Sequence, residues 1–187
     1  VNRSIRRSIA VIGLSLALAP VVAAQETKTE QETQKVEAGG LTFQVPSSWK
    51  VNRPTNQMRL VEIEVPPAEG DDKPGELVLF AFPGGAGTVQ ANVQRWRAQF
   101  VDEQGRNPEV ETETIKANGA EITLVETAGR YVTQIPRPVD EPGFRLLGGI
   151  YPTRQVGYFF KLVGPDATIT AARPAFKAML ESMTTSR

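Results

Sequence analysis

Leu77-Val78-Leu79-Phe80-Ala81-Phe82 is apolar at every position, and this stretch decides the fold. A strand with one face in water alternates apolar with polar residues, whereas an unbroken apolar run predicts a central strand covered on both faces. Something must pack on each side. Downstream of the turn Gly84-Gly85-Ala86-Gly87, the residues Val89, Val93, Trp96 and Phe100 recur at helical spacing, while Gln90, Gln94, Arg97 and Asp102 fall elsewhere. The pattern predicts an amphipathic helix over 88–104, capped by Thr88 and stopped at Gly105, as one cover.

The second cover lies at the far end, where Ile169, Ala172, Phe176, Met179, Leu180 and Met183 form an apolar stripe over 166–183. Asp166 suits its N-cap, and Pro174 inside it predicts a kink or a delayed start. Between and before the helices, Leu41, Phe43 and Val45 alternate with polar residues as far as Pro46, and residues 58–65 predict another strand. Further strands are expected at 110–116, 120–126, 130–134, 144–151 and 155–163, with Asn118-Gly119 a hairpin signal. The expected class is α+β, an antiparallel β-sheet covered by two amphipathic helices.

The chain has 187 residues, no Cys and no His. The first number fits one domain with a sizeable core. Without thiols there is no disulfide, thiolate nucleophile, zinc ribbon or lipobox cysteine, and without imidazole no Ser-His-Asp or Cys-His catalysis and no His-ligated metal. Carboxylates, Lys and Tyr remain as reactive groups. No catalytic, metal-binding or cofactor-binding residue is assigned, and no cofactor is expected.

Residues 1–24 carry Arg3, Arg6 and Arg7, then the apolar run 9–18, Pro20 and the small residues Val22-Ala23-Ala24. This is the pattern of a cleavable signal peptide with cleavage after Ala24, and the run is short of the roughly 20 residues that cross a bilayer. The expectation is an exported protein, periplasmic or secreted, with no stable membrane anchor after processing. Arg6-Arg7 followed by Ser8-Ile9 also resembles a twin-arginine signal, although two arginines serve any n-region by charge alone. The full chain balances 21 basic against 21 acidic residues, so loss of three arginines leaves the mature chain acidic by three. No nucleic acid is expected as partner, because nucleic-acid binders cluster Lys and Arg. Residues 25–38 hold almost nothing apolar and read as a flexible polar tether, with the domain spanning 39–187.

The strand Leu41-Thr42-Phe43-Gln44-Val45-Pro46 with Trp49, and the closing Tyr158-Phe159-Phe160-Lys161-Leu162, Gly164 and a helix holding Phe176 and Leu180, resemble the two ends of the PsbP-like α/β/α sandwich superfamily. The middle, with Gly84-Gly85-Ala86-Gly87, Asn92, Arg95, Trp96, Gln99 and Phe100, is similar to uncharacterised exported bacterial proteins. The resemblance implies a non-enzymatic accessory role and carries over no functional residue.

Gly84, Gly85, Gly87 and Thr88 follow a strand and open a helix, so their amides and the helix dipole are a candidate anion or ligand site, with Asn92 and Arg95 one and two turns on. The stretch lacks the Lys-Ser/Thr of a phosphate loop and the spacing of a dinucleotide fingerprint, so a tight strand-to-helix turn is the preferred reading. Trp96 belongs to the buried stripe, and Asn92 on nearly the same face calls for a hydrogen-bond partner. Asp71-Asp72 and Asp140-Glu141 read as solvated loops. Protein binding, with an envelope protein as partner, is expected at a sheet edge or through the Pro-rich loops 66–75 and 136–142; the alternative is a small-ligand or anion-binding protein.

Overall fold

A computed structural model describes residues 32–134 and 138–185. The signal-like residues 1–24 and residues 25–31 lie outside the described residues. In chain order the described elements are β1 (Thr33–Ala38), β2 (Leu41–Pro46), β3 (Lys50–Asn52), β4 (Arg59–Val65), β5 (Gly75–Pro83), α1 (Val89–Arg97) and β6 (Phe100–Val101). They continue with β7 (Glu111–Ala117), β8 (Ala120–Thr133), β9 (Val139–Pro152), β10 (Val156–Pro165), α2 (Asp166–Glu181) and β11 (Thr184–Thr185).

Among the described residues the large sheet runs β3-β4-β5-β10-β9-β8-β6, with β7 pairing the first half of β8. All its pairings are antiparallel. The apolar run of β5 lies third in that order, with Leu77 and Leu79 in one core and Phe80 and Phe82 against a second. Asn118 and Gly119 both take positive φ, 48° and 86°, and close the β7–β8 hairpin as a two-residue turn.

The helices lie on opposite faces, as two adjacent glycines of β9 make plain. A Cβ on Gly148 would lie 2.0 Å from Trp96 of α1, and one on Gly149 would lie 2.9 Å from Leu180 of α2. Neighbouring residues of a strand point to opposite faces. Missing side chains on both faces let both helices approach.

Several expectations need correction. Residues 33–38 are not part of a tether: they form β1, paired with β2 through the Gly39-Gly40 turn in the register Val36 to Phe43. Backbone pairing needs no apolar side chains, and one buried anchor, Val36, suffices to dock a hairpin arm. β1, β2 and β11 thereby make a second sheet, which shares the α2 face of the large sheet, so that face is covered by more than a helix. The helix expected over 88–104 ends at Arg97, because Phe100-Val101 pairs with Tyr131 and Arg130 of β8. Thr88 does cap it, accepting from the amide of Ala91 at 3.1 Å.

Asp166 is not the side-chain cap of α2; the cap position falls on Pro165. The helix is capped from another part of the chain. Asp71 Oδ2 accepts from the Thr168 amide at 2.9 Å and its hydroxyl at 2.6 Å, so this carboxylate, read from sequence as solvated, holds loop 66–74 on α2. Pro174 leaves α2 unbroken, since it and Thr170, whose carbonyl loses its helical partner, face solvent. Beneath α2, Glu126 of β8 accepts from Arg145 of β9 and from Arg173 of the helix, tying three elements together.

Candidate functional site

A nine-residue helix runs about 13 Å, whereas strands spaced about 4.8 Å apart carry an eight-stranded sheet over 30 Å or so. α1 therefore covers only part of its face. Val93 and Trp96 pack with Leu146, Ile150 and Phe159, Trp96 edge-on to Phe159 at 6.3 Å. Beyond them the sheet is open, and the uncovered area forms a pocket of about 790 Å³ bounded by α1, β4, β5, β8, β9 and β10.

Strand alternation builds its floor. β5 contributes Phe80 and Phe82, and β10 contributes Phe159 and Lys161, in a register that sets Phe159 beside Phe80 and Lys161 beside Val78. Tyr131 of β8 and Phe144 of β9 stand with parallel rings 6.3 Å apart. Phe80, Phe82, Phe144 and Tyr131 are only half-buried. Four aromatic rings left partly uncovered on one concave surface are the usual mark of a binding site.

Lys161 stands among these rings. Its Nζ donates to Gln99 Oε1 at 2.7 Å and to the Tyr131 hydroxyl at 3.1 Å, and lies 5.1 Å from the Tyr131 ring centroid. No carboxylate among the described residues pairs with it. Burial pushes its pKa down to about 8; Glu76 pulls the other way, and Arg59 adds to the drop. Burial also raises the Tyr131 phenol above its ordinary value, so that group is neutral and protonated at pH 7.

The nearby carboxylates are engaged elsewhere. Arg59 donates to Glu76 Oε1 at 2.7 Å and lies 3.2 Å from Glu62 Oε1. Burial disfavours the Arg59 charge, but the two carboxylates outweigh it and hold its pKa above the ordinary value. Glu62 is buried, which by itself would raise its pKa; bonds from the Thr55 amide and hydroxyl, at 2.7 and 2.6 Å, together with Arg59, leave it lowered. Glu141 is taken by Lys73, at 2.8 Å. Of the pocket's cations, Lys161 and Arg95 have no acidic partner among the described residues.

The residues singled out from sequence divide into two groups. Asn92 and Arg95 line the pocket; Gly84, Gly85, Gly87 and Thr88 do not. The Gly85 amide donates to Phe82 O at 3.0 Å within the turn, and the Gly84 amide donates to Gln155 O at 2.7 Å, in the connection between β9 and β10. Asn92 is buried, donates to Ala86 O and Thr88 O, and accepts from Arg95 at 3.0 Å, so it fastens the helix start and steadies that guanidinium. Sequence reading did not single out Lys161, Tyr131 or Gln99 as a site. The available signal was Lys161 itself, a cation between Phe160 and Leu162 in an otherwise apolar strand.

The arrangement defines a class: an antiparallel sheet with a helix on each face, carrying an aromatic pocket beside the shorter helix. No family model matches the chain, and no curated protein matches it. Solved structures do. The solution structure of cyanobacterial PsbP (CyanoP) from Synechocystis sp. PCC 6803 matches with TM-score 0.52 at 13% identity, over 88% of this chain and 98% of that one. LpqN of Mycobacterium tuberculosis, involved in cell envelope biogenesis, matches with TM-score 0.51 at 12% identity, over 83% of this chain and 91% of that one. The fold is PsbP-like, as the resemblance implied.

Proposed function

We propose that this chain is a non-catalytic accessory module working outside the cytoplasm, and that it binds a small, largely apolar molecule in the pocket beside α1. The observation that carries the reading is the group of half-buried rings, Phe80, Phe82, Tyr131 and Phe144, on a sheet face that α1 is too short to cover. Leaving them uncovered forgoes burial worth about 25 cal/mol per Å², a cost that a ligand would recover. The signal-like residues 1–24 and a fold shared with an envelope-biogenesis protein support an extracytoplasmic setting. A non-catalytic role is supported by Lys161, which has no carboxylate partner among the described residues to move protons with and is mostly charged at pH 7.

Titration with the neutral dye Nile red tests the reading. Saturable binding near one equivalent is expected, weakened at least tenfold by Val163→Trp, which fills the pocket, and by Phe80→Ala, which strips its floor. Binding unchanged in both folded variants refutes it.

A protein partner is the second reading, favoured by one contact: Lys73 to Glu141 joins loop 66–74 to the start of β9 at the pocket's edge. A photo-crosslinking residue at position 73 in the exporting cell should yield one discrete adduct; a smear or no adduct counts against it.

A further inference from the structure

Three side chains with donor groups, Lys161, Gln99 and Tyr131, meet in the pocket. Lys161 is donor-only and carries three N–H bonds, two of which go to Gln99 Oε1 and the Tyr131 oxygen. Accepting from the ammonium fixes how both neighbours stand: Gln99 must turn its amide oxygen to Lys161, which directs its NH2 away, and the Tyr131 oxygen uses a lone pair, which leaves its hydrogen free. Neither the Gln99 NH2 nor the Tyr131 hydrogen has a partner among the described residues. The pocket therefore offers one cation and two neutral donors with no partner for them among the described residues, near the rings of Phe80 and Phe159.

We propose that the pocket takes a monoanionic amphiphile, a carboxylate with an apolar chain or ring, whose head group sits on Lys161, Gln99 and Tyr131 and whose body lies on the phenylalanine floor. This rests on the pocket being a ligand site. One compact ammonium with neutral neighbours matches a single negative charge, whereas a phosphate dianion calls for further cations or a guanidinium fork. Arg59, the nearest fork on the floor side, is already held by Glu76 and Glu62. Arg95 is exposed at the mouth, engaged with Asn92 Oδ1.

Calorimetry on the whole chain, with decanoate, decanol and decyltrimethylammonium as probes, tests the assignment. Decanoate should bind at least tenfold tighter than decanol, and the cation should bind more weakly than either. Lys161→Met should erase the gap by weakening decanoate alone, Tyr131→Phe should narrow it, and Arg95→Gln should leave it. The decanoate preference should also fade above about pH 8 as Lys161 loses its proton. The groups facing that ammonium are Tyr131 and Gln99 by contact and Glu76 and Arg59 by charge, and Tyr131 stays protonated in that window. Collapse of the preference in Arg95→Gln instead overturns the head-group position. Equal affinity for decanoate and decanol, with Nile red still bound, overturns this inference and leaves the pocket reading standing; loss of all three overturns both. Binding to phosphatidylglycerol vesicles without binding of free decanoate overturns it in favour of a lipid surface.

Discussion

Replacing Lys161 by Met removes a buried charge while keeping an unbranched side chain of similar length, and its effect on stability has a sign that changes with pH. The folded-state pKa of Lys161, about 8, lies below the ordinary 10.5. Between those values the unfolded chain holds a proton that the folded chain has released, so wild-type stability rises with pH through that window. From about pH 7 to about pH 9.5 the gain is about 2 kcal/mol, an upper figure because water in the pocket screens the charge. The variant has no such term, but it loses the bonds to Gln99 and Tyr131, worth about 1 kcal/mol each. At pH 7 the charge penalty of about 3 kcal/mol exceeds that loss, and the variant should be the more stable protein by about 1 kcal/mol. At about pH 9.5 the order should reverse. Urea unfolding of both proteins across this range reads the difference directly, since every other group cancels on subtraction, and stopping there avoids the titration of Tyr131, whose raised pKa acts with the opposite sign above it. Parallel stability curves would refute the claim that Lys161 is a desolvated, uncompensated cation.

Gly148→Ala should cost about 1–3 kcal/mol, because its Cβ would enter the Trp96 ring, 2.0 Å from Cζ3. Gly149→Ala, which meets the flexible end of Leu180 at 2.9 Å, should cost less, and thermal unfolding of the pair ranks them. Equal losses would deny that the rigid indole sets the α1 contact. Glu62 has a lowered pKa despite burial, so its contribution is present above the ordinary value of 4.5 and is lost as pH falls through the folded value. Glu62→Gln should flatten the acid limb of the stability curve and speed proteolysis within 53–58, the segment that Thr55 anchors; an unchanged acid limb counts against the anchoring role.

How much of this was legible depended on whether the relevant interaction was local. The Thr88 cap and the Asn118-Gly119 turn are settled by neighbours within a few residues, and each stands as the sequence implied; the apolar run of β5 is an interior strand as expected, but its Phe80 and Phe82 are left half-covered. The capping of α2 is not local: the carboxylate that accepts its bonds, Asp71, lies 97 residues before Thr168. From sequence that Asp is one acidic residue in a polar loop. The order of β1 has the same cause, since a polar segment with one valine acquires structure only from the strand it pairs with.

The site shows the same rule at its sharpest. Phe100 satisfies the helical stripe that Val93 and Trp96 begin, so periodicity carries the helix through it without a break. What stops α1 is competition for the backbone: Gln99 O accepts from the Val132 amide at 2.7 Å, and Phe100 pairs with Tyr131. That one event leaves the face of the sheet uncovered, turns the Gln99 side chain to Lys161, and sets Tyr131 against both Phe100 and the ammonium. Had the helix run on to Gln104 it would have covered about 10 Å more of the sheet. The end of the helix and the assembly of the donors are thus one structural fact. It could not be read from residues 88–104 alone, because β8, which ends the helix and supplies Tyr131, lies some thirty residues further along the chain.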